Sequence, residues 1–272
     1  MSEGERPPHA VLVRSPEGFS APAVAAVLGR RAGRPALDFV ASARRAWGVA
    51  AETLPADEAE ALAAALTEAG QAAVAAPASL LEPPPPVVEA SKAELSGDGF
   101  DLVWGRANAA PERLSWNRLR VVCAAAFEER TTRTVTEADP GEMAEKAIRL
   151  GLTIATGVPM MKRAAQRTRV IESRDRRLAM DLLFLDPARR VRVHAHGFDY
   201  SLLGPKMGYG AEQNFLVLLT EVCARAPGAL RGKGARALLA RRPAAESSYE
   251  SAEDLEREER WLLTLSVLRA AL

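Results

Sequence analysis

The chain has 272 residues, of which 48% are hydrophobic and 26% are charged. This balance is typical of a globular protein and excludes wholesale disorder, a collagen-like fibre and a small disulfide scaffold. The 36 basic and 35 acidic residues give a net charge of +1, yet residues 111–245 alone hold 24 basic and 14 acidic residues. Because a field of one sign attracts partners of the opposite sign, this basic middle indicates an anionic partner.

The cysteines and the apolar runs indicate the compartment. Cys123 and Cys223 both lie in apolar stretches, which favours two buried free thiols in a reducing environment over a single disulfide. The N-terminus lacks the apolar core of a signal peptide. The longest uncharged apolar run, residues 150–161, is shorter than the roughly 20 residues of a membrane-spanning helix. We therefore expect a cytoplasmic protein, with peripheral attachment to the inner membrane surface as the alternative.

Residues 1–80 predict a small domain with the element order β-α-α-β-α-β. The run Ala10–Arg14 is apolar and short, as in a buried strand. Ser20 is a favourable N-cap for a helix with Pro22 in its first turn, and Gly33 ends that helix. The remaining predicted elements are a helix from Pro35 to Arg45, a strand over Trp47–Ala51, a helix from Pro55 to Gly70 and a strand over Ala72–Ala76.

Three stretches carry a resemblance to a known family: Ala10–Val13, Pro22–Arg30 and above all Leu54–Gly70. They resemble the C-terminal domain of the bacterial ribosomal stalk protein, over about 65 of the 272 residues. The resemblance implies the fold of that domain. It also implies a contact surface on the first two helices, where the family uses lysines to engage translational GTPases. In this chain arginines stand in that region, and the candidate protein-contact residues are Arg30, Arg31 and Arg34.

Four consecutive prolines, Pro83–Pro86, predict a break after this domain. Proline lacks an N–H donor and fixes φ, so neither a helix nor a central strand can pass through the run. We therefore expect residues 81–98 to be a Pro-rich acidic linker. Residues 246–272 predict a C-terminal amphipathic helix with a capping box at Ser251. Whether that helix packs on its own chain is open.

Residues 99–245 predict a larger antiparallel-sheet domain closed by a helix. The stretch Arg113–Val122, the hairpin Leu182–Val193 and the helix after Gly210 resemble the bacterial pleckstrin-homology-like fold. A helical insertion is expected near residues 140–171, where Pro140–Thr156 has helical spacing of its apolar residues. The predicted fold class of the whole chain is therefore α+β, with two domains.

Arginines concentrate in the second predicted domain and form the main candidate site. They could bind phospholipid headgroups, nucleic-acid phosphate or an acidic protein, or they could form a solvated face paired with interleaved carboxylates. The lack of aromatic residues among them argues against single-stranded nucleic acid. The anion-binding candidates are Arg163, Arg167, Arg169, Arg174, Arg176, Arg177, Arg190 and Arg192.

No catalytic motif and no cofactor motif occurs, so we expect no catalytic residue and no cofactor. The glycine-rich run 204–210 lacks the spacing of a phosphate-binding loop. His194 and His196 lie two residues apart on a predicted strand, with Asp199 nearby. These three residues are the one candidate start of a metal site or of an unrecognised enzyme centre.

The favoured hypothesis is a non-catalytic binding or adaptor protein. In it the N-terminal domain contacts a protein and the basic C-terminal domain engages an anionic surface or partner. The alternatives are a ribosome- or translation-factor-associated protein, and an enzyme or metal-binding protein that uses the His194/His196 strand. The oligomeric state and the identity of the partner are open.

Overall fold

A computed structural model describes residues 7–103, 111–137 and 167–271, with side chains for 7–103, 111–127 and 177–270. The chain divides into two compact units, one of Met1–Phe127 with Arg177–Leu272 and one of Glu128–Arg176. The fold class is α+β, as predicted. Within the described ranges, no helix has the length and apolar character of a membrane span.

The N-terminal elements follow the predicted β-α-α-β-α-β order. The hydroxyl of Ser20 accepts a hydrogen bond from the N–H of Ala23, and Gly33 adopts a left-handed φ of 63°, so both predicted helix ends are confirmed. The strands pair antiparallel in the order β2-β1-β3, which we call the N-terminal sheet. The elements are β1 (His9–Val13), α1 (Ala21–Ala32), α2 (Leu37–Arg45), β2 (Val49–Leu54), α3 (Ala56–Glu68) and β3 (Ala73–Pro77).

Two further sheets form the rest of the large unit. The central sheet has the order β11-β8-β9-β10-β4, and the small sheet has the order β5-β6-β7. Their strands are β4 (Val87–Ala90), β5 (Ala93–Leu95), β6 (Gly99–Leu102), β7 (Glu112–Ser115), β8 (Leu119–Glu137), β9 (Arg167–Phe184), β10 (Arg189–His194) and β11 (Leu230–Arg231). The helices are α4 (Ala211–Arg225), α5 (Lys233–Leu239), α6 (Ala244–Ser247) and α7 (Ala252–Ala271).

The central sheet separates two hydrophobic cores because alternate side chains of a strand point to opposite faces. Val122 and Leu182 join the core that contains α4 and the small sheet. Cys123 and Leu183 join the core that contains α7 and the N-terminal sheet. One side of the central sheet is therefore covered by elements from both ends of the chain.

The segment expected to be a linker contains strands instead. Val87–Ala90 pairs in parallel with β10, and Ala93–Leu95 pairs antiparallel with β6. The prolines end at Pro86, and the β-branched pair Val87-Val88 directly after them suits an edge strand. The residues before and after the prolines thus belong to one compact unit rather than to two tethered domains.

The C-terminal helix α7 packs on its own chain. Trp261 is 1% exposed, and its indole N–H donates to the carbonyl of Val13 at 2.9 Å. The guanidinium of Arg260 lies 2.9 Å from the carboxylate of Glu52 on β2. The open question about this helix is thereby answered, since it completes the core under the N-terminal sheet. The predicted insertion helix, Pro140–Thr156, lies outside the described residues.

Candidate binding site

The predicted contact residues lie at the exposed end of α1 and in the turn that follows it. Arg31 is 3.7 Å from Glu58, and Arg34 is 3.0 Å from Asp38. Both ion pairs are solvent-exposed and therefore weak. Arg30 has no carboxylate within 4.0 Å among the described residues. These three arginines are accessible to a partner.

Arg190 and Arg192 differ from their expected role. Arg190 is 2% exposed and lies 3.0 Å from the carboxylate of Asp181 and 2.7 Å from that of Glu259. Arg192 lies 2.5 Å from the same Asp181. Because α7 covers this face of β10, both guanidinium groups belong to an internal cluster of ion pairs. They are not available to an external anion.

The structure describes fewer features of the other anion-binding candidates. Arg177 is exposed. Arg163 lies outside the described residues. Arg167, Arg169, Arg174 and Arg176 belong to β9, but their side chains lie outside the described set. The anion-binding expectation for these residues stays a prediction.

The histidine pair does not assemble a metal site. His194 lies 3.3 Å from Glu89, and His196 is exposed. The carboxylate of Asp199 accepts from the N–H of Ser201 at 2.9 Å and lies 3.3 Å from Lys92. Within the described ranges, no three His, Cys, Asp or Glu side chains are grouped closely enough to hold a metal ion. The metal hypothesis for His194, His196 and Asp199 stays a prediction, with no such group among the described residues to support it.

The structure brings together a different set of residues around Trp47. This residue follows α2 with a left-handed φ of 53°, which is uncommon for a large side chain. Its indole N–H donates to Asp254 at 2.9 Å, and its ring centroid lies 5.6 Å from that of Tyr249. Trp47 is only 8% exposed. The strained turn thus fixes the ring of Trp47, next to that of Tyr249, between the N-terminal elements and α7.

Lys233 places a positive charge next to the rings of Trp47 and Tyr249. Its ammonium lies 5.8 Å from the ring centroid of Trp47 and 5.5 Å from that of Tyr249, both within cation–π range. It donates to the backbone carbonyl of Ser248 at 3.5 Å. Among the described residues, no carboxylate lies within 4.0 Å of it. The ammonium therefore has no ion-pair partner within that distance.

The buried side chains of Glu258 and Tyr249 form hydrogen bonds that fix the backbone at Lys233. The carboxylate of Glu258 accepts the backbone N–H of Lys233 at 2.6 Å and also the hydroxyl of Tyr249. Burial, and then the charge of Glu258, raises the pKa of Tyr249, so this hydroxyl remains a donor. A β-carbon at Gly232 would lie 2.7 Å from the sulfur of Cys123, so the chain before α5 requires glycine to approach β8 this closely.

Two exposed arginines complete the cavity. Arg44 and Arg45 occupy the last turn of α2. In the part of the chain that the structure describes, neither has a carboxylate within 4.0 Å. They line a cavity of about 350 Å³ together with Phe19, Trp47, Lys233, Ser248, Glu250 and Asp254. We call this set the Arg44–Lys233 site.

The Arg44–Lys233 site has the chemistry of an anion-binding surface. Three cations line it against two carboxylates, and one of these, Asp254, already accepts from Trp47. Arginine binds a carboxylate or phosphate in a bidentate manner, while lysine supplies a point charge. Sequence reasoning missed the site because Lys233 lies far along the chain from the Arg44-Arg45 pair. The nearest local signal was that pair, two residues before a tryptophan.

No protein-family model, no curated protein and no solved structure matches the chain.

Proposed function

We propose that this chain is a non-catalytic binding protein that captures an acidic segment of a partner protein at the Arg44–Lys233 site. The observation that carries the proposal is the Lys233 ammonium, which lies on two aromatic rings with no carboxylate within 4.0 Å among the described residues. A cation held in this way can pair with an external carboxylate without first losing an internal partner.

The surroundings favour a polypeptide over a small ligand. The helix α2 is exposed along most of its length, with Ala43 as its buried residue. Leu37 on the same helix is 81% exposed. An extended acidic segment could therefore contact Arg44 and Arg45 and also cover apolar surface on α2. Exposed arginines next to an exposed apolar side chain are typical of protein contacts.

Reversal of charge at the two arginines tests the proposal. The double variant Arg44→Glu, Arg45→Glu is expected to weaken binding of a fluorescent deca-glutamate peptide at least tenfold, because two attractive charges become repulsive. The measurement is fluorescence anisotropy at low salt. Wild-type affinity should fall steeply as salt is raised, since exposed charges are screened.

The control is a second pair of adjacent exposed arginines, Arg241→Glu with Arg242→Glu. This variant changes the net charge by the same amount but lies outside the Arg44–Lys233 site. It should retain nearly full affinity. Equal losses of peptide affinity in the two variants would mean that the peptide responds to net charge rather than to this site. That result would overturn the proposal. Binding to anionic phosphatidylglycerol vesicles but not to the peptide would replace a protein partner with a membrane surface.

A second candidate function is association with translational GTPases or ribosomes. It is favoured by the β-α-α-β-α-β order of the N-terminal elements and by the accessible Arg30, Arg31 and Arg34. The triple variant of these arginines to glutamate is expected to abolish co-sedimentation of the protein with ribosomes at low salt. Co-sedimentation that matches the wild type would remove this candidate. It would leave the Arg44–Lys233 site untouched.

A further inference from the structure

A second cavity lies at one end of the small sheet, away from the Arg44–Lys233 site. Its volume is about 570 Å³, within the range of small-molecule sites. It is formed by the turn before β6, the short helix Trp116–Arg118, the first residues of β8 and the loop that follows α4. Its lining shares no residue with the first site.

The walls of this cavity are fixed by hydrogen bonds. The indole N–H of Trp116 donates to the carbonyl of Ser96 at 3.1 Å, and the hydroxyl of Ser115 donates to that of Asp98 at 3.1 Å. In the loop after α4, the N–H of Ala229 donates to the carbonyl of Ala226 at 3.1 Å. A cavity built in this way is formed before a ligand arrives, which lowers the entropic cost of binding.

Arg120 lines this cavity, and one of its donors lacks a partner among the described residues. Its Nε atom is buried and has no hydrogen-bond partner among the described residues. A guanidinium remains charged at any ordinary pH, and buried donors in folded proteins are nearly always paired. Asp98 lines the same cavity but lies more than 4.0 Å from Arg120. Within the part of the chain that the structure describes, this donor therefore lacks an acceptor.

A second arginine adds to the positive charge. Arg225 lines the cavity, and its Nη1 is bound to the carboxylate of Glu221. Glu221 itself lies outside the lining. Asp98 is the carboxylate among the lining residues, and it forms no ion pair with Arg120. Because Arg225 is paired with Glu221, Arg120 is the cation that favours a ligand with a negatively charged acceptor. The exposed amide of Asn117 offers a further polar contact at the rim.

We propose that this cavity binds a small molecule through a carboxylate or phosphate group held by Arg120, with Arg225 beside it. The site is independent of the proposed function, because it uses other residues. It would let the protein respond to a soluble anionic metabolite while it holds a partner elsewhere.

The test titrates the purified full-length protein separately with inorganic phosphate and with succinate at constant ionic strength. Nuclear magnetic resonance follows the arginine Nε–H signals. We expect saturable binding of at least one anion in the wild type, with a shift of the Arg120 signal. The variant Arg120→Gln should weaken that binding at least tenfold, which corresponds to about 1.4 kcal/mol.

The control is Arg118→Gln, in the short helix just before β8. Arg118 is exposed, lies 3.3 Å from Asp186 and does not line the cavity. Should Arg120→Gln fail to fold, Arg120→Lys keeps the charge but lacks the planar donors, and it should still weaken binding. Phosphate-only or succinate-only binding identifies the group. Unchanged affinity in the Arg120 variant, or no binding of either anion up to about 50 mM, overturns the proposal.

The two proposals fail separately. The double variant Arg44→Glu, Arg45→Glu should retain the anion affinity of the cavity, because neither arginine lines it. Loss of anion binding in that variant would place the bound anion at the Arg44–Lys233 site and would overturn the inference drawn from Arg120.

Discussion

Replacement of Trp261 by alanine is expected to lower the free energy of unfolding by about 3–5 kcal/mol, the usual range for a buried tryptophan. The side chain is 1% exposed and packs against Phe19 with ring centroids 5.4 Å apart. Its N–H donates to the carbonyl of Val13 on β1. The substitution removes one of the residues that join α7 to the N-terminal sheet. Urea denaturation followed by circular dichroism measures the loss.

Substitution of Gly48 tests the packing of Trp261 more specifically. A β-carbon at this position would overlap Cε2, Cζ2 and Nε1 of the Trp261 indole. Gly48→Ala is therefore expected to cost about 1–3 kcal/mol or more through overpacking. In the Trp261→Ala background the indole is absent, so the same change should cost much less. The two substitutions are thus coupled, and a double-mutant cycle measures the coupling.

The control for this cycle is Gly97→Ala. A β-carbon at Gly97 meets no atom within 4 Å, so this variant should unfold nearly as the wild type does. If Gly48→Ala had the same cost with and without the indole, the close approach of β2 to α7 would not be the source of the destabilisation. The packing described here would then be contradicted.

The N-terminal elements could be predicted because their signals are local. The hydroxyl of Ser20, the left-handed Gly33 and the apolar run in β1 each act within a few residues. The place of an element in the tertiary structure, by contrast, depends on residues far away in the sequence. Nothing near Pro83–Pro86 indicates that Val87–Ala90 will find an edge on β10, about a hundred residues later. A proline run predicts where regular structure stops, but not whether a domain also stops there.

The role of Arg190 and Arg192 shows the same limit. The alternation on β10 correctly indicates two faces, with Val191 and Val193 in one core. It cannot indicate whether the opposite face meets water or a helix. Here α7 covers that face and supplies Glu259. The candidate site had little sequence signal for a similar reason, because Trp47 and Lys233 come together only in the folded chain. The resemblances to the ribosomal stalk and pleckstrin-homology-like families stay predictions.

Replacement of Asp181 by asparagine is expected to lower the free energy of unfolding by about 3–5 kcal/mol, the range for breaking a buried ion pair. Burial alone would raise the pKa of Asp181, but hydrogen bonds, first that from Arg192, outweigh it and leave the pKa below its ordinary value. Without this carboxylate, two largely buried guanidinium groups lose their shared partner. Urea denaturation at pH 7 measures the effect.

The control is Glu256→Gln on the same cluster. Glu256 also pairs with Arg190, but it is 49% exposed, so its loss should cost within about 1 kcal/mol. A loss in this control as large as that in Asp181→Asn would show that the cluster is solvated rather than buried. The two variants therefore separate the buried part of the network from its rim.

Glu259→Gln is expected to raise the free energy of unfolding, whereas Asp181→Asn lowers it. The size of the Glu259→Gln effect should depend on pH. Burial, and then the charge of Asp181, raises the pKa of Glu259 well above its ordinary 4.5, so the folded protein holds this proton more tightly than the unfolded chain does. The unfolded chain ionises this group near 4.5, so its contribution to stability is present below that pH and is lost as the pH rises towards the folded pKa. Glutamine has no proton to release.

The stability of Glu259→Gln relative to the wild type should therefore increase from pH 5 to pH 8, by at most about 1.4 kcal/mol per pH unit. Burial raises the pKa of Cys123 well above 9.0, so this thiol does not titrate between pH 5 and pH 8. The raised pKa of Glu258 is common to both proteins and cancels in the difference. In an Asp181→Asn background the neighbouring negative charge is absent, so the pKa of Glu259 falls and the slope should shrink. A difference that does not change with pH would mean that Glu259 is ionised beside Asp181, with Arg190 neutralising both carboxylates.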